Sequence, residues 1–336
     1  MAPPPIAPPG LGRIASSVVA RVRDGLIDQL RSRPDLAERV VRLLRLVPSR
    51  SARSTLYRTF SWPLIDHLRS PLEIATTGGK LMVDTSDVVG RVLTASGVWE
   101  PHVTEAFRAR FGAADICIDI GAHVGYYTLL ASKLVGPRGH VYAFEPSPGV
   151  YRALEQNLGR NEATNVTALN VAAGADGGPG VLYELEAGSS GNSSLSPRLL
   201  DSPHAGTADE YVSVEVDICA VDTRVPDDGF GRVRMIKVDV EGYEVEALRG
   251  VERILAVGAP VAVIVELSPE WSLEDPAPFV EDLCRRHRLT PYRLVNEYSL
   301  DGYFPARIEP PRRIHAIPSE RCDLLLVRSN RPPAAE

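Results

Sequence analysis

The residues best suited to chemistry begin with Asp119-Ile-Gly-Ala-His-Val-Gly-Tyr-Tyr-Thr128. A short apolar run ends there and a helical pattern begins. Gly121 lets the chain turn tightly, and Gly125 lets backbone approach a ligand and the helix approach the sheet. The helix N-terminus offers free N–H groups and a positive dipole end to a carboxylate. A dinucleotide fingerprint needs Gly at relative positions 1, 3 and 6. Those positions hold Gly121, His123 and Tyr126, so two of three fail. An amino-acid-bearing nucleoside makes a different demand from a diphosphate, and this loop suits it better.

The second signal is Glu145, at the end of the next apolar run and about twenty residues beyond the glycine turn, where a carboxylate can accept hydrogen bonds from ribose hydroxyls or stand as an acid beside the following helix N-terminus. The third is Met235-Ile-Lys-Val-Asp-Val-Glu-Gly-Tyr-Glu244. Lys237 and Asp239 alternate onto one face of an otherwise apolar strand. Ionisable groups there are costly unless paired, so they mark a site or a buried ion pair. Asp239 and Glu241 fall where strand gives way to helix, and Glu266 ends the next apolar strand in the same manner. Three carboxylates therefore converge on one rim. They suit a general base that takes a proton from a hydroxyl, or the alternative, a divalent cation that acidifies it. The base reading is preferred and no metal ligand set is assigned. Glu241 has a second reading, as a cap for the helix at Tyr243. His123 reads as a residue of backbone conformation rather than a catalyst.

These groups need a scaffold. Asp115–Ile120 is apolar on both faces, as a buried parallel strand should be. His140–Phe144, Val166–Ala172, Val233–Val240, Val261–Leu267, Tyr292–Val295 and Cys322–Val327 read as further strands, with Lys80–Asp84 ahead of them. Helices are expected over residues 100–111, Val124–Val135, Ser147–Gly159, Tyr243–Ala256 and Pro276–His287, with Ser147 and Pro148 as N-cap and first-turn proline. Repeated βαβ units with short links imply a doubly wound α/β sheet with helices on both faces. Residues 174–210 read as an insertion with one short strand near Val181–Leu185, and Tyr211–Asp217 after it reads as an edge or hairpin strand. Its segment Gly188-Ser-Ser-Gly-Asn-Ser-Ser194 has the polarity of a closing loop, with Asn192 and Ser193 as candidate substrate contacts. Trp99, Tyr126 and Trp271 read as packing residues.

Upstream the character changes. Residues 1–12 form a Pro-rich tail, MAPPPIAPPG at its start, that composition assigns to disorder. Residues 13–70 form a basic helical region. Ile14, Val18, Val22, Leu26 and Leu30 make an apolar stripe. Pro34 interrupts, Asp35 caps a second helix with stripe Leu36, Val40, Leu43, Leu44 and Val47, and residues 50–78 read as irregular. From Leu11 to Phe60 eleven Arg face four acids, a surplus of seven positive charges, while the whole chain carries −6. The helices read as a hairpin on the main domain or on a second subunit, or as a peripheral contact with an anionic membrane. The mild net charge argues against nucleic acid as the main partner. The four cysteines (Cys117, Cys219, Cys284, Cys322) show no metal-ligand spacing, and with no visible signal peptide the expected location is the cytoplasm.

Five motifs in order, DIGAHVGYYT, FEP, GNSSL at Gly191–Leu195, IKVDVEGYEVEALRG and VIVELSP, resemble the FkbM family within the class I methyltransferases. Gly97-Val-Trp-Glu-Pro101 also resembles the family's segment before the first strand. The resemblance covers roughly residues 80–330, and the domain is placed at 71–330. It implies a Rossmann-like sheet of seven strands with the last one antiparallel, S-adenosyl-L-methionine as cofactor, and O-methylation of a small-molecule hydroxyl on a sugar, glycolipid or natural product. Carried onto this chain, Asp119, Gly121 and Gly125 would hold the methionine part, with His123 in the same loop. Glu145 would hold the ribose, and Ala172 and Ala173 would flank the adenine. Two other readings compete, a Rossmann oxidoreductase and a non-catalytic binding protein that retains the fold.

Overall fold

The computed structural model describes residues 21, 23–65, 67–68, 70–185, 193–201 and 211–329. The Pro-rich tail, most of the first N-terminal stripe and Asn192 lie outside the described residues. Thirteen strands occur among those described. β1 (Leu72–Ala75) and β2 (Lys80–Val83) form an antiparallel hairpin. An eight-stranded sheet contains β3 (Ile116–Ile120), β4 (His140–Phe144), β5 (Val166–Leu169), β9 (Val233–Val238), β10 (Val261–Leu267), β11 (Thr290–Arg293), β12 (Arg312–Arg313) and β13 (Cys322–Arg328). A small sheet holds β6 (Ala172–Ala173), β7 (Gly178–Leu185) and β8 (Tyr211–Cys219).

The large sheet has the order β12-β11-β13-β10-β9-β3-β4-β5. β3, β4, β5, β9 and β10 run parallel, and β13 runs antiparallel between β10 and β11. The seven expected strands are therefore joined by an eighth, the two-residue edge strand β12. From β3 the chain winds outward through β4 and β5, then returns to β9 on β3's other side. β3 and β9 thus flank the switch point, where the crevice of an open α/β sheet lies. Every residue of β3 and β10 is buried, as strands covered on both faces require.

Four expectations are corrected. The apolar run over residues 166–172 is not one strand. Asn170 turns its amide to the carbonyl oxygens of Glu145 and Pro146, at 2.8 and 2.9 Å, and the chain leaves the large sheet so that β6 pairs with β8. The helix expected over Tyr243–Ala256 is two, Glu244–Arg249 and Glu252–Ala256. At the break the Gly250 carbonyl accepts the Asp222 N–H at 2.9 Å, and Gly174 backbone lies where a side chain at 250 would stand. Residues 50–78 are not irregular. Ser49 caps the helix Arg50–Leu56, a π-helical turn follows over Tyr57–Ser61, then Trp62–Ile65 and β1. The buried positions Ser54, Tyr57, Ser61, Leu64 and Ile65 have helical spacing, but two are serines, so the apolar pattern is broken.

Pro34 does not interrupt the N-terminal helices so much as start one. It occupies the first turn of Pro34–Leu44, where its missing N–H costs nothing, and Asp35 sits in that turn rather than capping it. Ile27, Leu30, Ala37, Val41, Tyr57 and Leu64 are buried in the same apolar cluster as Leu130, Val141 and Leu325 of the main body. Leu26, Leu36, Leu43 and Leu46 face outward. No helix among the described residues is long and apolar enough to cross a membrane.

Arg45 shows what the basic residues of this region do. Its guanidinium donates to the carbonyl oxygens of Ala75 at 3.0 Å and Leu93 at 2.6 Å, and also to that of Thr94. Leu93 and Thr94 lie in the last turn of the helix Val88–Ser96, where the negative end of the helix dipole favours a cation. Burial lowers the Arg45 pKa to about 10, still charged at neutral pH. Arg45→Ala should therefore cost about 2–3 kcal/mol, the range for a lost charged donor to several buried acceptors. Denaturant unfolding checks this, with Arg45→Lys expected to recover part of the loss.

Candidate functional site

A cavity of about 350 Å³ opens at the carboxyl ends of β3, β4, β9 and β10. One end is lined by Gly121, Ala122, His123, Phe144, Glu145, Pro146, Ala172 and Ala173, with Leu182, Ser193 and Leu195 from the 174–210 insertion. The other is lined by Trp99, Glu100, Tyr126, Tyr127, Lys237, Asp239, Glu241, Glu266, Tyr298, Tyr303 and Arg321.

Gly121 turns with φ 77°, and an added Cβ would stand 1.9 Å from the Asp239 carbonyl oxygen. The β3 and β9 loops therefore touch backbone to backbone, which only glycine permits. Gly125, at φ 97°, starts the helix Tyr126–Val135, and there a Cβ would press on Leu154. His123 also adopts a left-handed conformation, φ 52°, which aims its N–H at Glu145 Oε2, 2.9 Å away. Glu145 Oε1 accepts the Ser147 N–H at 3.0 Å. Asp119 lies one layer below the cavity wall. Its Oδ2 accepts the Thr128 hydroxyl at 2.6 Å, while Oδ1 is buried with no hydrogen-bond partner. Gly125 likewise lies behind the wall. Ser193 reaches the cavity edge, and the adjacent Ser194 hydroxyl donates to the Glu241 carbonyl, tying the insertion to the β9 loop.

The expected buried ion pair is present. Lys237 Nζ is 2.7 Å from Asp239 Oδ2 and 4.8 Å from the centre of the Tyr127 ring. Burial works against the charged carboxylate of Asp239, but the ammonium overrides it and holds the pKa below its usual value. Asp239, Glu241 and Glu266 do converge, each offering an oxygen within 4.8 Å of the others. Glu241 stands in a left-handed conformation, φ 49°. Its carboxylate faces Arg321 at 3.3 Å rather than the following helix. That helix has no side-chain cap, and Glu244 Oε1 accepts the Gly242 N–H ahead of it at 2.6 Å. Glu266 pairs with Arg321 at 2.5 Å. Burial, then the neighbouring Asp239 and Glu241, pushes the Glu266 pKa well up, and burial does the same at Glu241.

Several lining groups were not singled out from sequence. Glu100, 3% exposed and at φ 41°, accepts hydrogen bonds from Tyr127 Oη at 2.9 Å and Asn296 Nδ2 at 2.9 Å. The Tyr298 hydroxyl sits between Glu100 and Glu266, 3.1 and 2.9 Å from their oxygens. Arg321 stacks over Trp271 and Tyr298 at 4.7 and 4.9 Å. The signal for Glu100 and Arg321 is weak in sequence, since neither ends an apolar strand of the parallel set. Trp99 and Tyr126, read as packing residues, are buried and also form cavity wall. Trp271 packs beneath Arg321, as expected.

The methyltransferase FkbM domain, as a family, matches residues 119–288. The chain belongs to this family. The FkbM domain match thus runs from the β3 loop to the end of the helix Pro276–His287. "Methyltransferase sdnD" of Sordaria araneosa is 31% identical over 156 residues, 40% of this chain and 60% of that protein. "Hexuronic acid methyltransferase AglP" of Haloferax volcanii is 26% identical over 197 residues, 56% and 71% of the two chains. Among solved structures, methyltransferase FkbM from Methylobacillus flagellatus is 15% identical, covering 88% of this chain and 59% of that one, with a TM-score of 0.37.

Burial raises the Glu145 pKa to about 7, against 4.5 for a free glutamate, and Glu244 likewise to about 7. Between those values the folded chain holds protons that the unfolded chain has released. Folding stability should fall as pH rises from about 5 to about 8. Glu145→Gln and Glu244→Gln should each flatten that slope in thermal melts.

Proposed function

We propose that this chain is an S-adenosylmethionine-dependent O-methyltransferase that acts on a hydroxyl of a small molecule, a sugar or a natural product. The observation that carries the reading is the cavity at the switch point. It brings a glycine turn and a buried glutamate together at one end and a set of carboxylates at the other.

The cofactor end fits an amino-acid-bearing nucleoside. Asp119, sealed behind the wall, bears on that end only through the loop it supports, and Gly121 removes the side chain that would block the loop. Glu145 lines the wall with both oxygens oriented by backbone N–H groups, leaving further lone pairs for a ribose diol. Ala172 and Ala173 supply a small apolar wall for the base. When bound, the cofactor supplies a methyl carbon activated by its sulfonium.

Holding the acceptor oxygen in line with that carbon is the chain's first task, a proximity effect of up to ~7–11 kcal/mol. The second is removal of the hydroxyl proton, for which a positioned carboxylate contributes about 10²–10⁴-fold. Asp239, Glu241 and Glu266 face the same end of the cavity. Lys237 keeps Asp239 ionised and fixed, so Asp239 is the base preferred here. A divalent cation is disfavoured because Arg321 and Lys237 already hold the oxygens it would need.

Calorimetry with S-adenosylhomocysteine tests the cofactor end. Glu145→Ala should weaken binding about tenfold or more, the cost of losing a hydrogen-bond acceptor, and Asp119→Ala should weaken it through loss of support for the glycine loop. Unchanged affinity in both would remove the assignment. Asp239→Asn should bind the cofactor as before while turnover drops by about 10²-fold or more. Chelation with EDTA should leave turnover unchanged.

A further inference from the structure

The acceptor end of the cavity has a charge pattern that bears on what enters it. Among the described lining residues, Lys237 and Arg321 are the only Lys or Arg. Both are committed. Lys237 is bonded to Asp239. Arg321 gives Nε to Glu266 at 2.6 Å and Nη2 to both Glu266 and Glu241. Its faces are covered by Trp271 and Tyr298. Against these two cations stand Glu100, Asp239, Glu241 and Glu266 on the wall, with Asp323 buried behind them within ligand distance of Glu100 and Glu266. Glu100 is held by neutral donors alone.

We infer that the acceptor is a neutral or amine-bearing polyol, and that this end of the cavity excludes acceptors carrying a carboxylate or phosphate beside the reacting hydroxyl. The inference rests on the O-methyltransferase reading above. An anionic acceptor finds no uncommitted cation on the described lining. To pair with Arg321 it must displace Glu241 or Glu266, which leaves a buried carboxylate unpaired. It also meets the ionised Asp239 carboxylate at low dielectric, a form of rejection that acts whatever the shape of the ligand. A neutral sugar meets none of this. Its hydroxyls can donate to Glu100 and Glu266, and its apolar face can lie on Trp99 and Tyr303, whose rings stack at 5.8 Å. An ammonium group adds attraction to the carboxylates. The contrast with a relative named for hexuronic acid is direct: an acceptor of that class would add one more carboxylate to this wall.

The test uses the full chain with S-adenosylmethionine and three methyl glycosides of one ring type: glucoside, glucosaminide and glucuronide. Formation of S-adenosylhomocysteine and the mass of the methylated glycoside are followed at equal subsaturating concentrations. The glucoside and glucosaminide should react at least about tenfold faster than the glucuronide, the discrimination expected of one unpaired charge. In Glu241→Gln, which releases part of Arg321, the ratio of glucuronide to glucoside rates should rise about threefold or more. A glucuronide that reacts as fast as the glucoside overturns the inference, as does turnover of none of the three. In that last case calorimetric binding of S-adenosylhomocysteine separates the two failures. Retained binding leaves the methyltransferase reading standing with a different acceptor, and lost binding removes both.

Discussion

The pairing of Lys237 with Asp239 at the end of β9 is the constraint on which the site depends. β9 lies at the centre of a sheet covered on both faces, where an isolated charge is far more costly than in water. A lysine with its ammonium buried must have a carboxylate within bonding distance, and at 2.7 Å it has one. That pairing orients the Asp239 side chain, while the Asp239 carbonyl oxygen stands where a side chain at Gly121 would be, so the β3 and β9 loops meet backbone to backbone. The register places Asp119 directly beside Lys237 on the neighbouring strand. One cation therefore organises carboxylates from two strands, one beneath the glycine-turn end of the cavity and one on the wall of its other end.

The N-terminal helices acquire a role from this arrangement. Their aromatic residues pack on the segment that closes the acceptor end: Tyr57 on Phe304 at 5.5 Å and Trp62 on Tyr303 at 6.2 Å. The Ser54 hydroxyl donates to the Phe304 carbonyl. Tyr303 is cavity wall, and Tyr298, a few residues earlier, carries the hydroxyl between Glu100 and Glu266. Residues 50–65 therefore buttress the acceptor wall from behind. The wall sits on a short turn, Leu300–Tyr303, which has little of its own to hold it.

How much of this could be read from the residues follows from what each signal is made of. Strands β3, β4, β9, β10 and β13 are legible because a short, continuous apolar run bounded by turn residues is the mark of a strand buried on both faces. Glu145, Asp239, Glu241 and Glu266 are legible because each is an acid near the end of such a run. Glu100 and Arg321 are not. Glu100 precedes a proline in a helix start, and Arg321 belongs to a loop before β13, so only the closed sheet brings them to the cavity. The helices of residues 50–65 are hidden for a different reason. Their buried stripe includes Ser54 and Ser61, whose small side chains pack inward without an apolar signature. The break at Asn170 depends on hydrogen bonds to Glu145 and Pro146, a contact between segments that no local pattern encodes.

The environments of the carboxylates push their proton affinities apart, and that separation is what lets several acids share one cavity with different tasks. At Asp239 the ammonium of Lys237 outweighs burial, so the group is ionised whenever the protein is folded near neutral pH. At Glu241 and Glu266, burial and like charge outweigh the single guanidinium of Arg321, so they retain protons to higher pH. In the proposed reaction a hydroxyl at this end would meet one ionised carboxylate, Asp239, beside others that keep their protons to higher pH. The two cations on the wall are enough to organise the acids without equalising them, and the functional asymmetry of the acceptor end comes from that imbalance.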